Sequence, residues 1–213
     1  MNAREALVAA ARALDEAGLN SGTSGNLSIR DDVGMLITPT GIPCNRLDPG
    51  QIVLMDLQGN WKGDMRPSSE WAMHAAIYRS FPEACAVIHA HPDHCVALSC
   101  LRKLLPAFHY MIASFGGDDV PCARYEPFGS QALADAAVEA LLERNACLLA
   151  NHGMICFASD IGAALARAIK LETLARQYVL ACTAGSPVLL DHDEMTEVKR
   201  RYRTYGQQQP DKA

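Results

Sequence analysis

His89 and His91 lie two residues apart at the end of the apolar run Cys85–His91, which reads as a buried strand closed by Pro92. Alternate residues of a strand project from one face, about 6.6 Å apart along the chain. Two imidazoles so placed can converge on one metal ion, roughly 2.0–2.1 Å from each nitrogen. With 7 His in 213 residues, such a pair arises by chance about 0.2 times per chain, so alone it carries little. His152 adds to it. It follows a second apolar strand, Ala146 to Asn151, and Gly153 allows a sharp turn behind it. A capped turn histidine is the plain alternative for that residue. Three neutral histidines with an open coordination position have the make-up of a catalytic zinc rather than a structural one.

His89 to His94 also spells H-x-H-x-D-H, the signature of metallo-β-lactamase-like hydrolases, which likewise sits between a strand and a helix. Against that reading, Cys95 and Val96 stand where small glycines usually follow the motif. It also leaves Ser24 to Asn26, Thr38 to Gly41, and Pro67 to Glu70 unexplained.

With those segments counted, the chain resembles the class II aldolase/adducin family, most closely its L-fuculose-phosphate aldolase branch. The similarity runs from Gly25–Ser28 to Lys199–Gly206, and His109–Gly117 with Pro121–Ala123 belongs to that branch in particular. The resemblance implies an α/β fold of three layers, a mainly antiparallel central sheet flanked by helices. It implies Zn2+, one per chain (other divalent metals being possible), on His89, His91 and His152, with Glu70 able to touch the metal when no substrate is bound. Asn26, Thr40, Gly41, Ser68 and Ser69 match phosphate-holding positions, and hydroxyls and amides at a helix N-terminus do suit an anion. Glu70 matches the catalytic acid/base, a role that a pKa raised to about 6–7 would suit.

The same resemblance gives Tyr110 the role of a tyrosine that reaches in from a neighbouring subunit of a homotetramer. Phe128 and Tyr205 match residues that wall the aldehyde end. The implied reaction is reversible cleavage of a ketose 1-phosphate to dihydroxyacetone phosphate and an aldehyde. L-Fuculose, 5-deoxyribulose and 5-methylthioribulose 1-phosphates would share its contacts. Dehydratases, epimerases and decarboxylases use the same fold, but Glu70 and the Tyr110 run favour the aldolase over the epimerase. A non-catalytic adducin-like interaction module is the alternative of another class, and the intact histidines and Glu70 argue against it. His74, four residues after Glu70 on one helical face, reads as a satisfied buried or supporting histidine rather than a ligand. Asp118 and Asp119 are more acidic than expected after Gly117, and no role falls to His94, His109 or His192.

The elements that must position these residues are legible in outline. Asn2 and Glu5 form a capping-box pattern for a helix that stops at Gly18. Short β signals follow at Leu27 to Arg30, Met35 to Thr38 and Ile52 to Leu57. Ser68 or Ser69 should cap a helix to Ser80, Pro92 should begin another, Ser130 should precede one to about Arg144, and Asp160 should cap a long one to Ala184. A last short helix begins near Asp193. The strand connections within 27–38 and 146–157 are too short for parallel crossovers, so those pairs must be antiparallel.

The chain carries 19 Lys plus Arg against 24 Asp plus Glu, a net charge of -5, with no basic surplus to neutralise nucleic-acid phosphates. No stretch reaches the roughly 18 apolar residues of a membrane span, and the charged, amphipathic N-terminus does not read as a signal peptide. A cytoplasmic enzyme is the expectation. The eight cysteines form no C-x-x-C pair and sit mostly among apolar neighbours, as buried thiols do. A length of 213 residues suits one domain spanning 1–213.

Overall fold

The computed structural model describes residues 2–202 and 204. Helix α1 (Ala3–Glu16) begins on the expected capping box, in which Asn2 and Glu5 satisfy each other's backbone amides. Strands β1 (Asn26–Arg30), β2 (Met35–Ile37) and β3 (Val53–Met55) form an antiparallel meander. After α2 (Trp71–Ser80) come β4 (Ala86–Ala90) and α3 (Asp93–Cys100). A 3-10 helix covers Tyr110–Phe115, followed by the short strand β5 (Cys122–Ala123) and by α4 (Gln131–Ala140). The hairpin β6 (Ala146–Leu149) and β7 (Gly153–Ala158) precedes the long α5 (Ile161–Ala184) and the last helix, α6 (His192–Tyr202).

Among the described residues the sheet has seven strands in the order β3-β2-β1-β4-β7-β6-β5. Only β5, against β6, is parallel. The mainly antiparallel sheet flanked by helices is therefore as expected. Side-chain alternation sends Ala86, Ile88 and Ala90 of β4 to one apolar layer with α1, α3 and α5. Val87 of β4, with Cys147, Leu149, Ile155 and Phe157, packs on the other layer beneath α2 and α4. All of these sheet residues are almost wholly buried, which is what fixes strand register, since a one-residue slip would swap the faces.

Several local expectations need correction. The N-cap of α2 is Glu70, not Ser68 or Ser69, and no side chain caps it. Ser68 instead accepts a hydrogen bond from the Glu70 amide at 3.3 Å. Helix α4 stops at Ala140 rather than near Arg144, and Glu143 takes a left-handed conformation just beyond it. Four short elements go beyond the expectations: β5 and the 3-10 helices at Cys44–Arg46, Pro49–Gln51 and Tyr110–Phe115.

Candidate metal centre and active-site cavity

Strand β4 ends at Ala90, so His91 stands one residue beyond it rather than within it. The two imidazoles nevertheless converge, with His89 Nε2 and His91 Nε2 2.8 Å apart. His152 completes the cluster from the β6–β7 turn, its ring centre 4.8 Å from each of the others. Glycine at 153 is explained by space rather than by turning. A Cβ there would come within 2.5 Å of the Ala90 carbonyl and 2.8 Å of the His91 ring. The left-handed residue of the turn is Asn151, at φ 54. Ser99, fully buried at the end of α3, holds the turn by accepting the Asn151 amide on its carbonyl and the His152 amide on its hydroxyl.

Glu70 enters the cluster from the start of α2. Its Oε2 lies 3.0 Å from His89 Nε2 and its Oε1 3.5 Å from His152 Nε2. Burial by itself would push this carboxyl up. His89 first, then His152 and the Asn26 amide, outweigh burial and hold it well below the usual carboxylate range. The shift is thus opposite to the raised pKa expected of a tuned general base. Burial pushes His91 down to about 3 and His152 to about 4, aided by neighbouring His89. Both are neutral ligands at pH 7.

The donor set fits a divalent metal. His89 Nδ1 donates to the Met154 carbonyl at 2.9 Å, so Nε2, which faces the cluster, is the atom that would offer its lone pair to a metal. One ligand atom each from Glu70, His89, His91 and His152 lies within 4.8 Å of all the others, against about 3.3 Å between ligands on a tetrahedral zinc. Glu70 Oε1 is buried with no hydrogen-bond partner. A cation held by the surrounding imidazole nitrogens would satisfy that oxygen.

A cavity of about 360 Å3 opens onto this cluster. Its wall includes Asn26, Thr40, Gly41, Ser68 and Ser69 beside Glu70, His91 and His152. All five residues expected to hold phosphate thus line the same cavity. Ser68 and Ser69 sit at the N-terminus of α2, whose amides and dipole favour an anion. Phe128 lines the same cavity and is 74% exposed. Tyr110 does not line it: it stacks on His109 and stands over separate depressions shared with Met111 and Lys170. Tyr205 lies outside the described residues.

Sequence reasoning missed Tyr125, Glu126 and Asn151, which also line the cavity. Asn151, directly before His152, had a positional signal; the other two had none. Arg102 ties this wall together, donating to Asn151 Oδ1 at 2.7 Å and lying 5.6 Å over the Tyr125 ring. All three histidines left without a role in the sequence have structural partners, His109 capping the 3-10 helix by accepting the Met111 amide at 3.2 Å. His94 pairs with Glu172, which also accepts the amides of residues 94 and 95 at the start of α3. His192 and Lys199 both reach Asp118, so that loop anchors α6.

Residues 5–179 match the family model described as the class II aldolase and adducin N-terminal domain. A 5-methylthioribulose-1-phosphate/5-deoxyribulose-1-phosphate aldolase of Rhodospirillum rubrum is 43% identical over 203 residues, 95% of this chain and 92% of that one. An L-fuculose phosphate aldolase of Escherichia coli is 46% identical over 191 residues, 89% of this chain and 88% of its own. Among solved structures, an L-fuculose 1-phosphate aldolase superposes with a TM-score of 0.90 at 39% identity, covering 94% of this chain and 96% of that one. The chain belongs to the class II aldolase and adducin family, and its full-length likeness to named aldolases places it among the metal-binding lyases of that family.

Proposed function

We propose that the protein is a zinc-dependent aldolase that reversibly cleaves a ketose 1-phosphate to dihydroxyacetone phosphate and an aldehyde. The observation that carries this reading is the placement of one carboxylate, Glu70, between a three-histidine cluster and the anion-suited N-terminus of α2. His89, His91 and His152 would hold the metal, with Glu70 beside it. Bound there, the metal supplies Lewis-acid polarisation of a ketose carbonyl.

The chain's own residues do the rest. Thr40, Gly41, Ser68, Ser69 and Asn26 hold the phosphate, which sets the carbonyl end of the substrate beside Glu70. Glu70, ionised at neutral pH, takes a proton from the hydroxymethyl carbon of dihydroxyacetone phosphate in the condensing direction and returns it during cleavage. Phe128 borders the aldehyde. Tyr110, 47% exposed and outside its own chain's cavity, handles the proton on the aldehyde oxygen from a neighbouring subunit of a homotetramer. The whole chain acts as one domain, in the cytoplasm.

The relatives differ in the sugar that their names specify, and the reading covers both kinds. The test is a condensation assay on zinc-loaded protein with dihydroxyacetone phosphate, comparing L-lactaldehyde with methylthioacetaldehyde and acetaldehyde. Carbon–carbon bond formation with at least one is expected. Formation with none, together with no cleavage of the matching ketose phosphates, would overturn the proposal.

A further inference from the structure

A row of buried polar side chains runs from Glu70 away from the metal cluster, between β1 and α2. Asn26 and Ser28 alternate on one face of β1, and Glu70, His74 and Tyr78 recur every fourth residue on α2. Two strand residues advance about 6.6 Å and four helical residues about 6.0 Å. The two rows therefore stay in step. Asn26 meets Glu70 and His74, and Ser28 meets His74 and Tyr78. His74 and Ser28 are wholly buried, and none of the five is more than 6% exposed.

Each hydrogen bond in this row has its direction forced from the Glu70 end. An ionised carboxylate only accepts, so Asn26 turns its NH2 group toward Glu70 Oε2, at 3.0 Å. Asn26 Oδ1 then faces His74 Nε2 at 2.6 Å, and a carbonyl oxygen also only accepts, so the proton of His74 is on Nε2. Burial keeps this imidazole neutral, with its pKa pushed down to about 3. Its Nδ1 is therefore a lone pair that accepts from the Ser28 hydroxyl at 2.7 Å, and Ser28 accepts in turn from the Tyr78 hydroxyl at 2.7 Å. With the other tautomer, Asn26 would flip and set its carbonyl against the Glu70 carboxylate, two acceptors face to face.

We infer that His74 is a positioning residue of this enzyme: through its Nε2 proton it locks the Asn26 amide so that Asn26 donates to Glu70 and aims the carboxylate into the cavity. Ser28 and Tyr78 fix the tautomer from behind. His74 neither lines the cavity nor belongs to the metal cluster. Asn26 gains a second role beside the phosphate contact proposed for it, which explains why an amide, donor at one end and acceptor at the other, occupies that position. The inference rests on the reading of Glu70 as the proton-transfer group only for its catalytic consequence, and the tautomer is testable without it.

The test has two arms. In the zinc-loaded protein with 15N-labelled histidine, His74 should show one neutral tautomer, with protonated Nε2 and unprotonated Nδ1. A Nδ1-protonated ring, or exchange between the two forms, overturns the inference whatever the enzyme's substrate is. The second arm compares His74→Leu with His74→Gln in solvent-proton exchange of dihydroxyacetone phosphate. Gln can return an N–H to Asn26 but fills the ring's buried space poorly, whereas Leu fills that space and offers no donor. Positioning predicts that Leu lowers kcat about 10–100-fold with KM little changed, while Gln recovers most of it. Wild-type kcat in the Leu variant, or a Gln variant as slow as Leu, overturns it. If Leu does not fold, Gln and the wild-type tautomer still decide.

Discussion

Asn26 of β1 is the direct antiparallel partner of His89 on β4. One register position thus carries both the amide that faces Glu70 and the first histidine of the metal cluster. Because that face of the sheet is packed under α2, the strand pair cannot slip without separating them. The chemistry of the site is tied to the strand pairing.

Gly153 is the tightest point of that frame. Gly153→Ala would drive a methyl into the Ala90 carbonyl and the His91 ring. A loss of about 1–3 kcal/mol in urea unfolding is expected, with weaker zinc retention in competition with a chelator. Unchanged zinc affinity would mean that the β6–β7 turn does not set the cluster.

The histidine cluster itself should hold about one zinc per chain, as three neutral imidazoles with an open position do. His89→Ala, His91→Ala and His152→Ala should each sharply lower metal content measured by elemental analysis, and activity should be lost in strong chelator. Full activity in a metal-free preparation would contradict the proposed zinc role.

How much of this is readable from sequence follows from which contacts are local. The capping box at Asn2, the Asp160 cap of α5 and the antiparallel hairpins rest on neighbours in sequence, and the structure has them. His89 and His152 lie far apart along the chain, so only strand character and a family likeness could pair them. Ser68 reads as a cap by the ordinary preference, but it serves the Glu70 amide while Glu70 turns to His89. The spacing of Asn26 and Ser28, and of Glu70, His74 and Tyr78, is present in the sequence. Its meaning needs the knowledge that β1 lies beneath α2. Strand β5 has two residues, too few for any periodic signal.

Acid should expose the cost of burying His74. Its pKa is about 3 in the fold against an ordinary 6.5, lowered by burial first and then by His89, with Glu70 opposing. Between those values the unfolded chain binds a proton that the folded chain does not. Stability should therefore be full above about pH 6.5 and fall toward pH 3, by up to about 1.4 kcal/mol per pH unit from this residue. In metal-free protein, urea unfolding of His74→Gln should show a shallower decline than wild type. Equal slopes would place the depressed proton affinity elsewhere, on His91 and His152 alone.

Tyr110 should act across a subunit boundary. Mixing Tyr110→Phe with Glu70→Gln, each nearly inactive, under conditions that exchange subunits should restore part of the activity, because some sites would then carry both native residues. Absence of any recovery in mixed oligomers verified by mass would count against the shared site.

The most direct measurement asks whether Glu70 moves the proton. Glu70→Gln is nearly isosteric, and three histidines remain to hold zinc, but an amide cannot take up the proton that a carboxylate does. In deuterated solvent, zinc-loaded wild type should exchange one hydroxymethyl proton of dihydroxyacetone phosphate stereospecifically, with no aldehyde present. The zinc-loaded variant should exchange about 10²–10⁴ times more slowly. Exchange by the variant at the wild-type rate would contradict the assignment of Glu70 as the base.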